Sequence, residues 1–197
     1  MAKRLFDFLL SGIGLIFLSP VFLLFAVLIK IDSPGPVFFR QERVGLSGRT
    51  FRIYKFRTMV TEAERKGLQI TVGADNRITR VGQWLRKYKL DELPQLLNVW
   101  LGSMSLVGPR PEVPRYVACY PADIREVVLS VRPGITDRAS IEYRDENQIL
   151  GQAQDPHQAY VHEVLPIKLR YYTEYVRTRT FFGDIKIILD TLKVLIN

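Results

Sequence analysis

From Phe8 to Ile29 the chain carries no charged residue, and that stretch limits what the rest of it can become. A helix of about 22 residues, at ~1.5 Å per residue, is long enough to cross a ~30 Å hydrocarbon core. Ser19 and Pro20 stand in its middle. Pro20 removes a backbone donor where the bilayer midplane would lie, and Ser19 beside it can hydrogen-bond a freed carbonyl, which suits a sharp bend. The flanks are basic at both ends: Lys3 and Arg4 before, Lys30, Arg40 and Arg43 after. Positive charge marks the cytoplasmic side of a segment. Two basic flanks therefore predict a chain that dips into one leaflet and returns, in preference to a Pro-kinked span. A cleaved signal peptide is disfavoured, because no Ala-x-Ala-like site follows the apolar run. Residues 1–31 are expected to form a re-entrant helix–break–helix, and residues 32–197 one domain continuous with it.

The whole chain has 197 residues, 47% of them hydrophobic, and a formal charge of +8. With its first thirty or so residues in lipid, enough remains for one modest globular domain. The combination fits a membrane-surface protein better than a disordered tail. Basic charge alone does not separate anionic lipid, nucleic acid and phosphate-bearing substrates as partners. The single cysteine, Cys119, excludes an intrachain disulfide framework and a Cys-based zinc site.

Beyond the turn formers Asp32 to Pro36, two runs rich in Val, Phe, Ile and Tyr, at 36–43 and 49–57, flank Val44-Gly45-Leu46-Ser47-Gly48 and predict a β-hairpin. In its second arm Phe51, Ile53 and Lys55 share one face. A short charged helix is expected over 61–68, a helix over 79–90, and another from Asp91 or Glu92 to Trp100. In the last of these Leu93, Leu96, Leu97 and Trp100 form a stripe, with Pro94 in the first turn. Residues 102–114 read as a turn-rich connector, 123–131 as a helix. From Asp184 onward Ile185, Ile188, Leu189, Leu192, Leu195 and Ile196 make one apolar face of an amphipathic helix, packed on the domain or lying in the membrane interface. The expected fold class is α+β, predominantly helical with one short β-hairpin, the re-entrant membrane segment and amphipathic interfacial helices.

Chemistry is most concentrated in Lys87-Tyr88-Lys89-Leu90-Asp91-Glu92-Leu93-Pro94-Gln95. An Asp91 at or near a helix N-cap would feel the positive helix end and stay ionised well below neutral pH. An ionised carboxylate among cations can bind Mg²⁺ or attack a phosphorus centre. Equally, Asp91 can simply cap the helix and Glu92 complement its dipole. Cations tip the balance. Lys55-Phe56-Arg57-Thr58-Met59 ends the second hairpin strand, Arg86 precedes the acid pair, and Val107-Gly108-Pro109-Arg110-Pro111-Glu112 presents an arginine between two prolines. Flanking prolines lower the entropy lost in fixing Arg110, and arginine is suited to bidentate phosphate contacts.

The run from Arg86 to Glu112, with Leu90-Asp91-Glu92-Leu93-Pro94-Gln95-Leu96 and Ser105-Leu106-Val107-Gly108-Pro109-Arg110-Pro111, resembles the bacterial sugar transferases, the small monotopic phosphoglycosyl transferases. Lys55-Phe56-Arg57-Thr58-Met59, Pro133-Gly134-Ile135-Thr136, Lys3-Arg4-Leu5-Phe6-Asp7 and Ser19-Pro20 match in the same order. The resemblance implies a ping-pong transfer. Asp91 would attack the sugar-bearing phosphate of a UDP-sugar and release UMP, then pass the phosphosugar to polyprenyl phosphate. It implies Asp91 and Glu92 as the catalytic and Mg²⁺-binding pair, and Lys55, Arg57, Arg86, Arg110 and Arg144 as phosphate-site cations. It also implies a bilayer partner at the cytoplasmic face of the bacterial plasma membrane and no nucleic acid, and leaves a homodimer open.

The chain departs from the commoner pattern of such proteins at Lys89 and Ser103, and at Asp137-Arg138 where a glycine and an apolar residue are expected. The stretch 139–146 also differs, and these departures weaken any reading of the sugar. The rival function from a different class is a membrane-anchored basic binding or scaffold protein that contacts anionic lipid or nucleic acid. It differs in requiring no carboxylate at Asp91.

Overall fold

The computed structural model describes residues 2–61, 75–142 and 150–196. Its first element, α1, is one helix, Ala2–Asp32, with Pro20 inside it. The expected interruption is bridged. Ser19 Oγ donates to the Ile16 carbonyl at 2.8 Å, the acceptor four residues upstream that a proline cannot serve. By length and composition α1 is sufficient to cross a membrane. Its two faces are unequal in an unusual way. One buries Asp7, Ser11, Phe25 and Ile29, while the other leaves Leu9, Ile13, Ile16, Leu23 and Leu24 exposed and Phe17 77% exposed. A helix on a water-facing surface carries polar residues there; between Phe8 and Ile29 this one exposes only Ser19 among polar residues.

Both ends of α1 are tied to the domain. Near its start, the Asp7 carboxylate accepts from Ser105 Oγ (2.8 Å) and from the Leu106 amide (3.2 Å), and Arg4 donates to the Met104 and Trp100 carbonyls. Lys3 pairs with Asp184. At its end, Asp32 accepts from the Val81 amide at 2.9 Å, and Phe22 and Phe25 meet Phe56 edge-on.

The predicted hairpin is present as β1 (Phe38–Val44) and β2 (Thr50–Phe56), antiparallel, with Gln41 opposite Ile53 and Phe39 opposite Lys55. Helix α2 spans Arg80–Lys87, capped by Thr79, whose side chain accepts from the Gly82 amide. The helix stands so close to the strand end that a Cβ at Gly82 would lie 2.1 Å from the Thr58 carbonyl. Only glycine fits that contact.

The expected helix over 91–100 is divided. Lys89 takes a left-handed conformation (φ 56°), Leu90–Glu92 form a 3₁₀ turn, and α3 begins only at Gln95 and runs to Leu101. Pro94 therefore caps α3 instead of lying in its first turn. The connector over 102–114 holds a strand, β3 (Ser105–Val107), that pairs in parallel with β4 (Gly134–Thr136). The expected hairpin is therefore joined, among the described residues, by a second, parallel two-stranded sheet that the sequence reading lacked. Three-residue strands buried along their length carry no alternation to read. A Cβ at Gly134 would sit 2.1 Å from the Gly108 amide nitrogen, so glycine permits the crossing of the two segments.

Helices α4 (Pro114–Val117) and α5 (Ala122–Leu129) lie between β3 and β4, and α6 (Arg138–Glu142) follows β4. Then come α7 (Pro156–Ala159), a π-helical turn (Tyr160–Val164), α8 (Leu165–Thr178) and α9 (Phe181–Ile196). α9 turns Asp184 and Ile187 inward and leaves Leu189 and Leu192 half exposed, so the face read as its packing stripe is only partly the one that packs. The largest core joins Val44 and Val113 to Tyr160, Leu165, Leu169 and Tyr172; a second lies behind β2, α3 and β3; a third lies under the end of α1. The charged helix expected over 61–68 lies, apart from Thr61, outside the described residues.

Candidate active site

Three elements deliver the acids and cations to one place. β2 alternation points Lys55 the same way as Ile53, toward the Leu90–Glu92 turn, and Lys55 Nζ donates to Glu92 Oε1 at 2.8 Å. The loop after β3 brings Arg110 to the other side. Its NH1 donates to Glu92 Oε2 at 3.0 Å, and its NH2 bonds Oε1. Glu92 thus gathers both cations in a forked arrangement. Asp91, next to it, is 8% exposed and takes no hydrogen bond from any described residue. Arg86 and Lys89 act on it through their charges, and Arg86 Nε is held by Thr58 Oγ1 at 2.8 Å.

The two carboxyls are driven in opposite directions. Burial would raise Glu92, but Arg110 and Lys55 outweigh it and hold the group well below the usual carboxylate range. Burial pushes Asp91 up, and the charge of Glu92 adds to that push against Lys55, Arg86 and Lys89. The sequence expectation for Asp91, an acid kept ionised by a helix N-terminus, is corrected on this point. Asp91 sits in a 3₁₀ turn and caps no helix, so desolvation dominates. Burial likewise lowers the Lys55 ammonium, with Glu92 opposing, whereas Glu92 raises Arg110.

Of the cations read from the sequence, Lys55, Arg86 and Arg110 surround the acid pair. Arg57 does not. β2 ends at Phe56, and the Arg57 guanidinium turns to the carbonyls of Ser33 (2.7 Å), Pro34 (2.5 Å) and Ile29 (3.4 Å). It is a buried clasp on the end of α1. Arg144 lies outside the described residues. Ser19 and Pro20 lie in α1 as described above.

Residues that sequence reasoning missed hold the others in place. Asn98 donates to the Arg52 carbonyl (3.0 Å) and accepts from the Tyr54 amide (2.8 Å), clamping the free edge of β2 beside Lys55. Arg43 donates to the Pro111 carbonyl at 2.9 Å, and the buried Glu112 accepts from Tyr160, so the Arg110 loop is fixed from both flanks. The sequence signal for Asn98 was a polar residue within the apolar run Leu96–Leu101 of α3.

Among the described residues no three His, Cys, Asp or Glu converge as a metal cage. A Mg²⁺ site needs none, since the ion is commonly bound by one or two carboxylates plus phosphates and water. The Asp91 carboxylate, free of donors, fits that role. Glu92 fits it less well, its oxygens already accepting from Lys55 and Arg110.

Comparison with known proteins identifies the family. The profile of the family described as "Bacterial sugar transferase" matches residues 1–197. The chain is 39% identical over 98% of its length to the UDP-N-acetylgalactosamine-undecaprenyl-phosphate N-acetylgalactosaminephosphotransferase of Aeromonas hydrophila. It is 40% identical over 97% to the UDP-glucose:undecaprenyl-phosphate glucose-1-phosphate transferase of Xanthomonas campestris pv. campestris. It spans 43% and 38% of those two proteins. It covers 70% of a Caulobacter vibrioides protein of the latter name, at 36% identity over the whole chain. With the acid pair, its cations and the match from first residue to last, the chain belongs to the bacterial sugar transferase family.

Proposed function

We propose that the protein transfers a sugar-1-phosphate from a UDP-sugar to polyprenyl phosphate in two displacements at Asp91. In the first, an Asp91 carboxylate oxygen bonds to the sugar-bearing phosphorus as its bond to the bridging oxygen breaks, and UMP leaves with that oxygen and its electron pair. In the second, a phosphate oxygen of the acceptor bonds to the same phosphorus, the acyl-phosphate bond breaks, and the Asp91 carboxylate is regenerated. One observation carries this reading. Of two adjacent buried acids, Glu92 binds the cations and Asp91 keeps its lone pairs free.

The division of labour follows from charge. Two anionic reactants must approach an anionic nucleophile, so fixed positive charge is required where phosphate oxygens will lie. Lys55 and Arg110, already oriented by Glu92, supply it without reorganising. Arg86, steadied by Thr58, supplies it from the α2 side. Mg²⁺ bound at Asp91 would add Lewis-acid neutralisation of the phosphate oxygens. Partial burial makes Asp91 a stronger base and nucleophile than a solvated carboxylate.

The apolar face of α1 sets where this happens. We place it in one leaflet of the plasma membrane, as a re-entrant segment on the cytoplasmic side, because both its ends are bound to the same domain. The acid pair then lies within reach of a lipid phosphate. Relatives of near-equal identity are named for N-acetylgalactosamine and for glucose, so identity does not select a sugar. The test is UMP release from a panel of UDP-sugars with polyprenyl phosphate and Mg²⁺ present, with mass analysis for a phosphosugar on Asp91. Release that persists in Asp91→Asn would overturn the mechanism.

A further inference from the structure

Between α6, α8 and α9 lies a groove of about 160 Å³, into which Arg138, Arg179 and Lys186 project with Tyr171 and Tyr175. The three cations are exposed, and none forms an ion pair among the described residues. Two acids also line the groove, Asp184 and Glu174. Asp184 is already matched: Lys3 pairs with it and the Tyr175 hydroxyl donates to it at 2.9 Å. The groove therefore holds an excess of positive charge over the single exposed Glu174.

Apolar residues adjoin the lining in the chain: Phe181 and Phe182 stand between the lining residues Thr180 and Gly183. Phe181 meets Phe6 of α1 at 5.2 Å, and Phe182 is 80% exposed. Leu5 and Leu9 of α1 are exposed on the same helix end as Phe6. A cationic hollow with exposed aromatic and aliphatic side chains nearby matches an amphiphile whose anionic head enters and whose tail stays outside. Size narrows the choice. The groove is smaller than the ~300–1,000 Å³ of a site for a drug-sized ligand, which suits a phosphodiester head group better than a nucleotide sugar. Neither acid of the pair, nor Lys55, Arg86 or Arg110, is among the residues that line the groove. Yet it adjoins the strand that leads to Arg110: Tyr175 donates to the Val107 carbonyl at 3.1 Å, and Lys3 to the same oxygen at 3.2 Å.

We infer that this groove binds the anionic head group of a membrane phospholipid, as a site distinct from the reaction centre. The inference rests on the membrane reading of α1 given above.

The experiment uses the full chain. Native mass spectrometry after extraction from phosphatidylcholine vesicles containing phosphatidylglycerol counts retained lipids. Arg138→Gln/Arg179→Gln/Lys186→Gln is compared with Arg49→Gln/Arg115→Gln/Arg125→Gln, which removes the same charge from the hairpin turn, α4 and α5. Retention of phosphatidylglycerol should fall about fivefold per groove cation removed, taking ~1 kcal/mol for each basic residue at an anionic surface, and little in the matched triple. Glu174→Gln should raise it. Equal loss in both triples would reduce the effect to non-specific charge and overturn the inference. A groove triple that raises KM for polyprenyl phosphate in pure phosphatidylcholine, without losing phosphatidylglycerol, would assign the groove to the acceptor and overturn it too. Failure of the wild type to associate with any vesicle, zwitterionic or anionic, would instead refute the membrane reading itself.

Discussion

Asp91 carries a conflict that can be measured. On the proposed mechanism its ionised form is the nucleophile, yet burial favours the neutral acid. The rate at subsaturating substrate should therefore fall, as pH is lowered, through a pKa above that of an ordinary aspartate. The stability sign runs the other way from a salt-bridged acid. A folded pKa raised above the unfolded one means the ionised group weakens the fold at pH above the raised value, and not at all below the unfolded value. Asp91→Asn should remove at least about 10⁴-fold of activity and yet melt higher than wild type near neutral pH, with the difference vanishing in acid. Thermal denaturation at two pH values checks it. Glu92 behaves oppositely. Its depressed pKa gives a contribution complete above the usual glutamate range and lost only as pH falls through the lowered value. Glu92→Gln would strand Lys55 and Arg110. With side chains 17%, 16% and 27% exposed for Lys55, Glu92 and Arg110, the cost is about 2 kcal/mol, below the ~3–5 kcal/mol of a fully buried pair. Denaturant titration reads it.

At the scale of elements, positions are set by contacts that sequence patterns do not display. The hairpin was legible because its arms alternate and a glycine-bearing turn separates them. The acid pair and Arg110 were legible because their residue types are chemically costly to place together. Arg57 misled because strand alternation stops at Phe56, one residue too soon to point its side chain with Lys55. Lys89 ends α2 short of the expected Leu90, since a left-handed residue other than glycine leaves no compositional mark. β3 and β4 were hidden by their brevity. The contact of Gly82 with Thr58 yields a sharp expectation. Gly82→Ala must push α2 off the Thr58 carbonyl and so loosen the grip of Thr58 on Arg86. KM for the UDP-sugar should rise about tenfold (~1.4 kcal/mol), with a stability loss of about 1–3 kcal/mol from overpacking. Pro20→Ala acts on a different element. Restoring an N–H for the Ile16 carbonyl removes the need for Ser19, and α1 should shift from a re-entrant toward a spanning topology. Cysteine labelling from both sides of the membrane reports this, and unchanged labelling would refute it.

On the proposed reading the molecule as a whole sets a nucleophile beneath a basic surface, its formal charge of +8 draws it to anionic bilayers, and the α1 face holds it there. Much of this arrangement was foreshadowed by the first forty residues, where charge flanks a long apolar run. What could not be foreseen was how firmly that run is bolted down. Asp7 grips β3 at one end, and the Arg57 clasp holds the other. Such a helix is less a mooring than a strain gauge. Hydrophobic mismatch in a thicker or thinner bilayer costs fractions of a kcal/mol per Å, and here that load has no free end through which to dissipate. Turnover should vary with the acyl-chain length of the host vesicles. Asp7→Ala, by uncoupling α1 from the strand that leads to Arg110, should flatten the dependence.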